Sequence, residues 1–210
     1  GFITGYQFSK LKPWIHSLNE SGFEGDKILF CYGISDETIE EIHRHGITTI
    51  QHPRYDSESF NIVVHRFYHL WTFLRESETK YRYVITTDVA DVIFQTNPSE
   101  WLIEWCELVG DINIVGSSEG LRYSDEPWGK ENMRLSFGPM VQEDMLDRGI
   151  FNAGVIAGKH NYIKDLALCI TRMCQGSPLY VPGGGGPDQA AYNVILSMEA
   201  WNDSLHVSDH

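Results

Sequence analysis

The chain has 210 residues, 42% of them hydrophobic and 12% aromatic, and a formal net charge of -13 at pH 7 with its nine histidines neutral. A chain of this length buries about 70% of the surface that its unfolded form exposes, so one domain over 1–210 is the expectation. The negative charge excludes a sequence-independent grip on nucleic acid, which depends on Lys and Arg displacing counterions. An acidic protein that handles a polyanion needs a bridging cation.

The four cysteines, Cys31, Cys106, Cys169 and Cys174, form no CxxC pair. They read as reduced core residues, not as a zinc site or a disulfide framework. No apolar run approaches the roughly 20 residues that span a bilayer, and the amino end lacks the layout of a secretory signal, so a soluble, cytoplasmic chain without a membrane segment is expected. It opens on strand-like residues (GFITGY) and stops at His210 without an obvious terminator, which fits a domain cut from a longer protein.

Taken in chain order, short β-branched and aromatic runs predict strands at Phe2–Thr4, Ile28–Tyr32, Thr48–Gln51, Tyr83–Thr86, Ile112–Gly116 and Phe151–Ala157. Ser35, with Asp36 and Glu37 behind it, opens a helix by capping free amides and placing negative charge at the positive end of the dipole. Val63, Phe67, Leu70, Trp71 and Leu74 repeat at three or four residues and mark a buried helix face. Asn97, Pro98 and Glu100 start another helix, with Asn97 as its cap. The run 117–147, rich in Gly, Pro and charge, reads as a long working or disordered loop. Alternating strand and helix predict an α/β fold: a mostly parallel central sheet between helical layers, with ligands at the carboxyl ends of the strands.

The most informative segment is YRYVITTDVADVIFQTNP, from Tyr81 to Pro98. Its strand runs into Asp88 and Asp91, and a second apolar patch follows at Val92 to Phe94. Paired hard oxygen donors on a turn suit Mg2+ or Mn2+, which share their coordination with substrate phosphates. The bland alternative makes Asp88 a turn cap and Asp91 a solvated loop acid.

TTDVADVIFQTNP resembles the DxD region of glycosyltransferases with the Rossmann-like GT-A fold. The resemblance implies that Asp91 ligates a divalent metal on the donor diphosphate and contributes to catalysis, with Asp88 as its partner. ITGYQ resembles the first strand and loop under the nucleotide, implying roles for Thr4, Gly5 and Tyr6. FNAGVIAGK, with Asn152 and Ala153, resembles the strand near the donor sugar. GGGGPDQAAYN resembles the loop and helix start that carry Asp188 and Gln189 to the transferred sugar and the acceptor. His206 falls where many members supply a further metal ligand. VADVIFQ together with GGGGPDQAAYN resembles glycosyltransferase domains of chlorovirus proteins that build capsid glycans, which would place the chain in a host cytoplasm.

Other residues carry two readings. The tetraglycine Gly183–Gly186 is a phosphate cradle or, more simply, a mobile loop that positions Asp188 and Gln189. Asp188 is the base that accepts the acceptor's proton, a group that fixes donor hydroxyls, or a helix-start acid. Asn152 in a strand needs several partners, which a sugar supplies. Arg66 faces a diphosphate oxygen or a surface salt bridge. His65 and His69 stand at four-residue spacing without an HExxH pattern, so they read as packing or surface. Trp128 and Trp201 stack on sugars or pack.

The reaction implied is metal-assisted transfer of a hexosyl or deoxyhexosyl unit from a nucleoside diphosphate sugar, UDP-linked, to a hydroxyl of a glycan or glycoprotein. Two rivals stand beside it. One is a non-catalytic nucleotide-sugar or glycan-binding module of the same fold. The other is a nucleotidyltransferase or phosphohydrolase, whose GxGTR-like or DxDxT motifs are missing here.

Overall fold

All six apolar runs form strands, and a seventh strand that the periodicity did not signal closes the chain. The computed structural model describes residues 1–55, 60–110, 113–182 and 185–208, with Cys106, Glu107 and Val109 described by their backbone only. The first half runs β1 (Phe2–Thr4), α1 (Phe8–Glu20), β2 (Ile28–Tyr32), α2 (Asp36–Arg44), β3 (Thr48–His52), α3 (Ile62–Glu76), β4 (Tyr83–Thr87) and α4 (Pro98–Val109). The second runs β5 (Ile114–Arg122), α5 (Pro127–Phe137), α6 (Pro139–Met145), β6 (Gly149–Lys159), α7 (His160–Cys174), α8 (Asp188–Ser197), α9 (Glu199–Asn202) and β7 (Leu205–Ser208). Ile112, expected to start the fifth strand, lies outside the described residues. Among the described residues, no helix is long and apolar enough to cross a membrane.

Two compact units emerge, Gly1–Glu58 with Thr87–Asp111, and Ser59–Thr86 with Ile112–His210. The first is built on a parallel sheet in the order β1-β2-β3, with Phe2 opposite Phe30 and Ile28 opposite Thr48. Strand alternation separates its faces. Ile3, Leu29 and Cys31 enter a core with Leu11, Trp14, Ile15 and Leu18 of α1 and Ile39 and Ile42 of α2. The α1 positions follow the i, i+3, i+4, i+7 rhythm of a single helical face, and each fully buried side chain there contributes about 1.5–3 kcal/mol. Side chains of the other parity stack as rings, Phe2 on Phe30 at 4.7 Å and Tyr32 on His52 at 4.9 Å. The caps read from sequence are present: Ser35 Oγ accepts from Thr38 N, and Asn97 Oδ1 accepts from Ser99 N.

The second unit carries most of a sheet ordered β4-β6-β5-β7. Here β5 runs antiparallel to β6 and parallel to β7. On α3 the buried face is Val64, Phe67, Leu70 and Leu74, so Val64 takes the place expected of Val63, and Trp71 is only half-buried.

The expectation of a long loop over 117–147 is corrected. β5 extends to Arg122, and α5 and α6 fill most of the remainder. Pro127, Pro139 and Gly138 are helix punctuation, while Gly120 belongs to β5 and Gly129 lies buried inside α5. Pro127 and Pro139 open the two helices, Glu126 caps α5 through Trp128 N and Gly129 N, and Gly138 takes φ +88° between them. A small core of Tyr123, Met133, Met145, Ile150 and Ala190 holds the segment down. Cys31, Cys169 and Cys174 are free thiols, and burial pushes Cys31 and Cys174 up to about 12. The side chain of Cys106 lies outside the described residues.

Candidate functional site

In the first unit, the acidic turn leaves Thr87 at the carboxyl end of β4 and is pinned at three points. Trp14 Nε1 donates to Thr87 Oγ1 at 2.8 Å, Phe94 N donates to Ser17 Oγ at 3.1 Å, and the Phe94 ring meets Trp14 edge-on at 5.8 Å. Between these anchors Val89 is buried in the core that contains Ile3 of β1, with Val92 and Phe94 packed against it. What the anchors leave on the surface is Asp91, exposed, and Asp88, half-buried. The apolar residues flanking the two acids thus hold the turn, and the acids are directed away from the core.

Thr4, Gly5 and Tyr6 follow β1 in the same unit. Gly5 has φ +61°, a left-handed conformation that favours glycine, and Thr4 and Gly5 are exposed. Tyr6 packs on the same core cluster as Val89 and lies 4.1 Å from the Lys10 ammonium. The segment after β1 and the acidic turn after β4 are therefore anchored in one core. Two carboxylates on such a turn match the donor set that Mg2+ or Mn2+ takes when phosphates complete its shell. No group of three His, Cys, Asp or Glu side chains suited to a metal occurs among the described residues.

His206 lies in the second unit, half-buried on β7 opposite Val115 of β5. The rest of that unit's expected site residues converge on an irregularity of β6. The ladder with β5 pairs Gly116 with Ile156 but Ser117 with Asn152, so Ala153, Gly154 and Val155 leave the register. A bulge frees backbone groups that need other partners. Side chains supply them. Ala153 N donates to Gln189 Oε1 at 3.4 Å, Arg66 donates to the Ala153 carbonyl at 3.1 Å, and Gly154 N donates to Asn152 Oδ1 at 2.6 Å. Next to the bulge, Asn193 clamps Phe151 like a strand partner, accepting from its N–H and donating to its C=O at 2.8 Å each.

Arg66 is neither a surface residue nor open to a ligand along its full length. It is buried and donates to Asp188 Oδ2 at 3.0 Å, with both side chains 8% exposed. Asp188 is the first residue of α8, where a carboxylate also meets the helix dipole. Gln189 donates from Nε2 to Glu119 Oε1 at 3.2 Å, and Asn152 Nδ2 donates to the same oxygen at 3.1 Å. Glu119 was not singled out from the sequence, because an isolated acid among Gly, Ser and Arg carries no periodic or spacing signal.

Gly183 and Gly184 lie outside the described residues, so the tetraglycine reading is tested only at its end. That end is held. Asn61 Nδ2 donates to the Leu179 and Gly185 carbonyls, and Asn132 Nδ2 donates to the Gly186 carbonyl. A Cβ on Gly186 would sit 2.9 Å from Val64 Cγ2, 3.1 Å from Val63 Cγ2 and 3.2 Å from Asn61 Nδ2. Gly186→Ala is expected to cost about 1–3 kcal/mol by overpacking against α3, read as a lowered melting temperature. Trp128, 38% exposed, borders Gly185, while Trp201 is half-buried on α9. His65 stacks on Phe60 at 4.5 Å and contacts the Asn61 carbonyl, and His69 packs on Tyr68, in line with a packing role for both.

No family model matches the chain, and no curated protein matches it. Solved structures do. The crystal structure of glucosyl-3-phosphoglycerate synthase from Mycobacterium tuberculosis in complex with uridine diphosphate superposes with a TM-score of 0.55 at 14% identity, over 99% of this chain and 68% of that one. The fold is GT-A. At this identity the likeness concerns architecture: an α/β arrangement with a mostly parallel sheet flanked by helices, as the order of elements predicted.

Proposed function

We propose that this chain is a glycosyltransferase that moves a hexosyl or deoxyhexosyl unit from a UDP-linked donor to a glycan or glycoprotein hydroxyl, assisted by Mn2+ or Mg2+. The observation that carries this reading is the pinned turn of a GT-A fold that presents Asp88 and Asp91 while sharing a core with the Thr4–Tyr6 segment. The neighbouring structure, solved with uridine diphosphate, supports a nucleotide as the ligand of this architecture. The narrower likeness to chlorovirus glycan-building domains belongs to the same reading.

In this scheme Asp91 and Asp88 of the first unit hold the cation. The cation would supply Lewis-acid stabilisation to the diphosphate as it leaves. Thr4, Gly5 and Tyr6 receive the nucleoside. In the transfer, the anomeric carbon–oxygen bond breaks with its electron pair staying on the diphosphate, and the acceptor oxygen bonds to that carbon and releases its proton. Asp188, held by Arg66 inside the second unit, is better suited to fixing sugar hydroxyls than to meeting an incoming acceptor. Arg66 then acts through Asp188 and the Ala153 carbonyl, and Asn152 and Gln189 face the sugar.

Calorimetry with UDP in manganese buffer, repeated in EDTA, tests the donor site: metal-dependent uptake is expected, and its absence rejects the reading. Incubation with UDP-sugars and glycan acceptors then separates enzyme from binding module. Release of UDP supports turnover, whereas tight binding without release under any acceptor makes the chain a module.

A further inference from the structure

Glu119 stands at a second irregularity of the β5–β6 ladder. Ser118 pairs with Phe151 and Arg122 with Gly149, which leaves Glu119, Gly120 and Leu121 outside the register, with Gly120 at φ +67°. Two bulges on facing strands thus bring Glu119 and Asn152 together, and the start of α8 adds Gln189. Both amides donate to the same carboxylate oxygen, Oε1. The other oxygen, Oε2, accepts no hydrogen bond from a described residue, and neither amide nitrogen has another acceptor among them. No Lys or Arg among the described residues forms an ion pair with Glu119.

A purely structural acceptor at this position would work as well uncharged, because the two amides need only one oxygen. A half-buried carboxylate oriented by neutral dipoles keeps one oxygen that is not buried away from solvent and is open to a donor from outside the chain, water or a ligand hydroxyl. The surplus acceptor lies beside two surplus N–H donors. That pattern complements hydroxyls on adjacent carbons, since each hydroxyl donates once and accepts twice. The geometry points to Glu119 as a specificity-determining residue that accepts a sugar hydroxyl on Oε2 while Asn152 and Gln189 donate to its neighbours. This inference rests on the glycosyltransferase reading above and deepens it.

Glu119→Gln separates the two roles. Its carbonyl oxygen can keep both amide contacts, while its NH2 replaces the acceptor at Oε2 with a donor. Wild type and variant are titrated in manganese buffer with UDP, UDP-glucose, UDP-galactose and UDP-xylose for the donor side. Methyl glucoside and methyl galactoside with UDP present serve the acceptor side. At least one sugar probe is expected to bind wild type beyond what UDP alone explains. For that probe the variant should lose affinity roughly ten- to a hundredfold, the effect of a hydrogen bond to a charged group. UDP affinity and melting temperature should stay at wild-type values.

The assignment is overturned if the variant keeps wild-type sugar affinity, if no sugar probe exceeds UDP in wild type, or if the variant loses UDP binding or fails to fold. Failure of wild type to bind UDP at all is a different result, because it removes the glycosyltransferase reading itself.

Discussion

Asp91→Asn is expected to lower sugar-nucleotide turnover by at least about a hundredfold and to remove the manganese dependence of UDP uptake. The magnitude follows from the charge that develops on the leaving diphosphate. A cation there is worth several kcal/mol, and each 1.4 kcal/mol is about tenfold in rate. Asn keeps the shape of the turn but offers a neutral, weaker oxygen to a hard cation. Because Asp91 is exposed and the turn is held by Trp14, Ser17 and Val89, the melting temperature of the variant should match wild type. Asp88→Asn should act in the same direction. Kinetics at graded manganese concentrations check both, and unchanged metal dependence in the double variant would remove the acidic turn from the mechanism.

Arg66→Met is expected to act through stability. It leaves Asp188 buried without its guanidinium, and breaking a buried pair from one side costs about 3–5 kcal/mol. For a chain of this size that lowers the melting temperature by about 10 °C. The Ala153 carbonyl in the β6 bulge loses a donor at the same time. Joining Asp188→Leu to Arg66→Met should restore much of the loss, because the lone buried charge disappears, yet transfer activity should stay low. Thermal melts of the two single variants and the double variant, read as a cycle, measure the coupling directly. Equal melting temperatures for Arg66→Met and wild type would show that the pair carries little.

Much of this architecture was legible because buried strands and amphipathic helices leave periodic marks. Ile28–Tyr32 and Tyr83–Thr86 are apolar runs of strand length, and the caps at Ser35 and Asn97 are local chemistry. What escaped notice depends on partners distant in sequence. Arg66 and Asp188 are 122 residues apart, and nothing in either neighbourhood announces a buried ion pair. Glu119 becomes informative only once two bulges bring it to Asn152 and α8 brings it to Gln189. The 117–147 segment misled because Pro and Gly mark both loops and helix boundaries, and short helices packed on a local core lack a long period. Val64 in place of Val63 is a one-residue rotation of α3, within what a spacing argument resolves.

One strut links the segment after β1 to the acidic turn of the first unit. Helix α1 starts two residues after Tyr6, and its middle grips both ends of the acidic turn through Trp14 and Ser17. The loop after β1 and the acidic turn after β4 are thereby coupled to a single helix. Preorganisation of this kind lowers the ordering cost of capture, and under the proposed function it would make the packing of α1, remote from any reacting atom, a determinant of how firmly a charged ligand is retained.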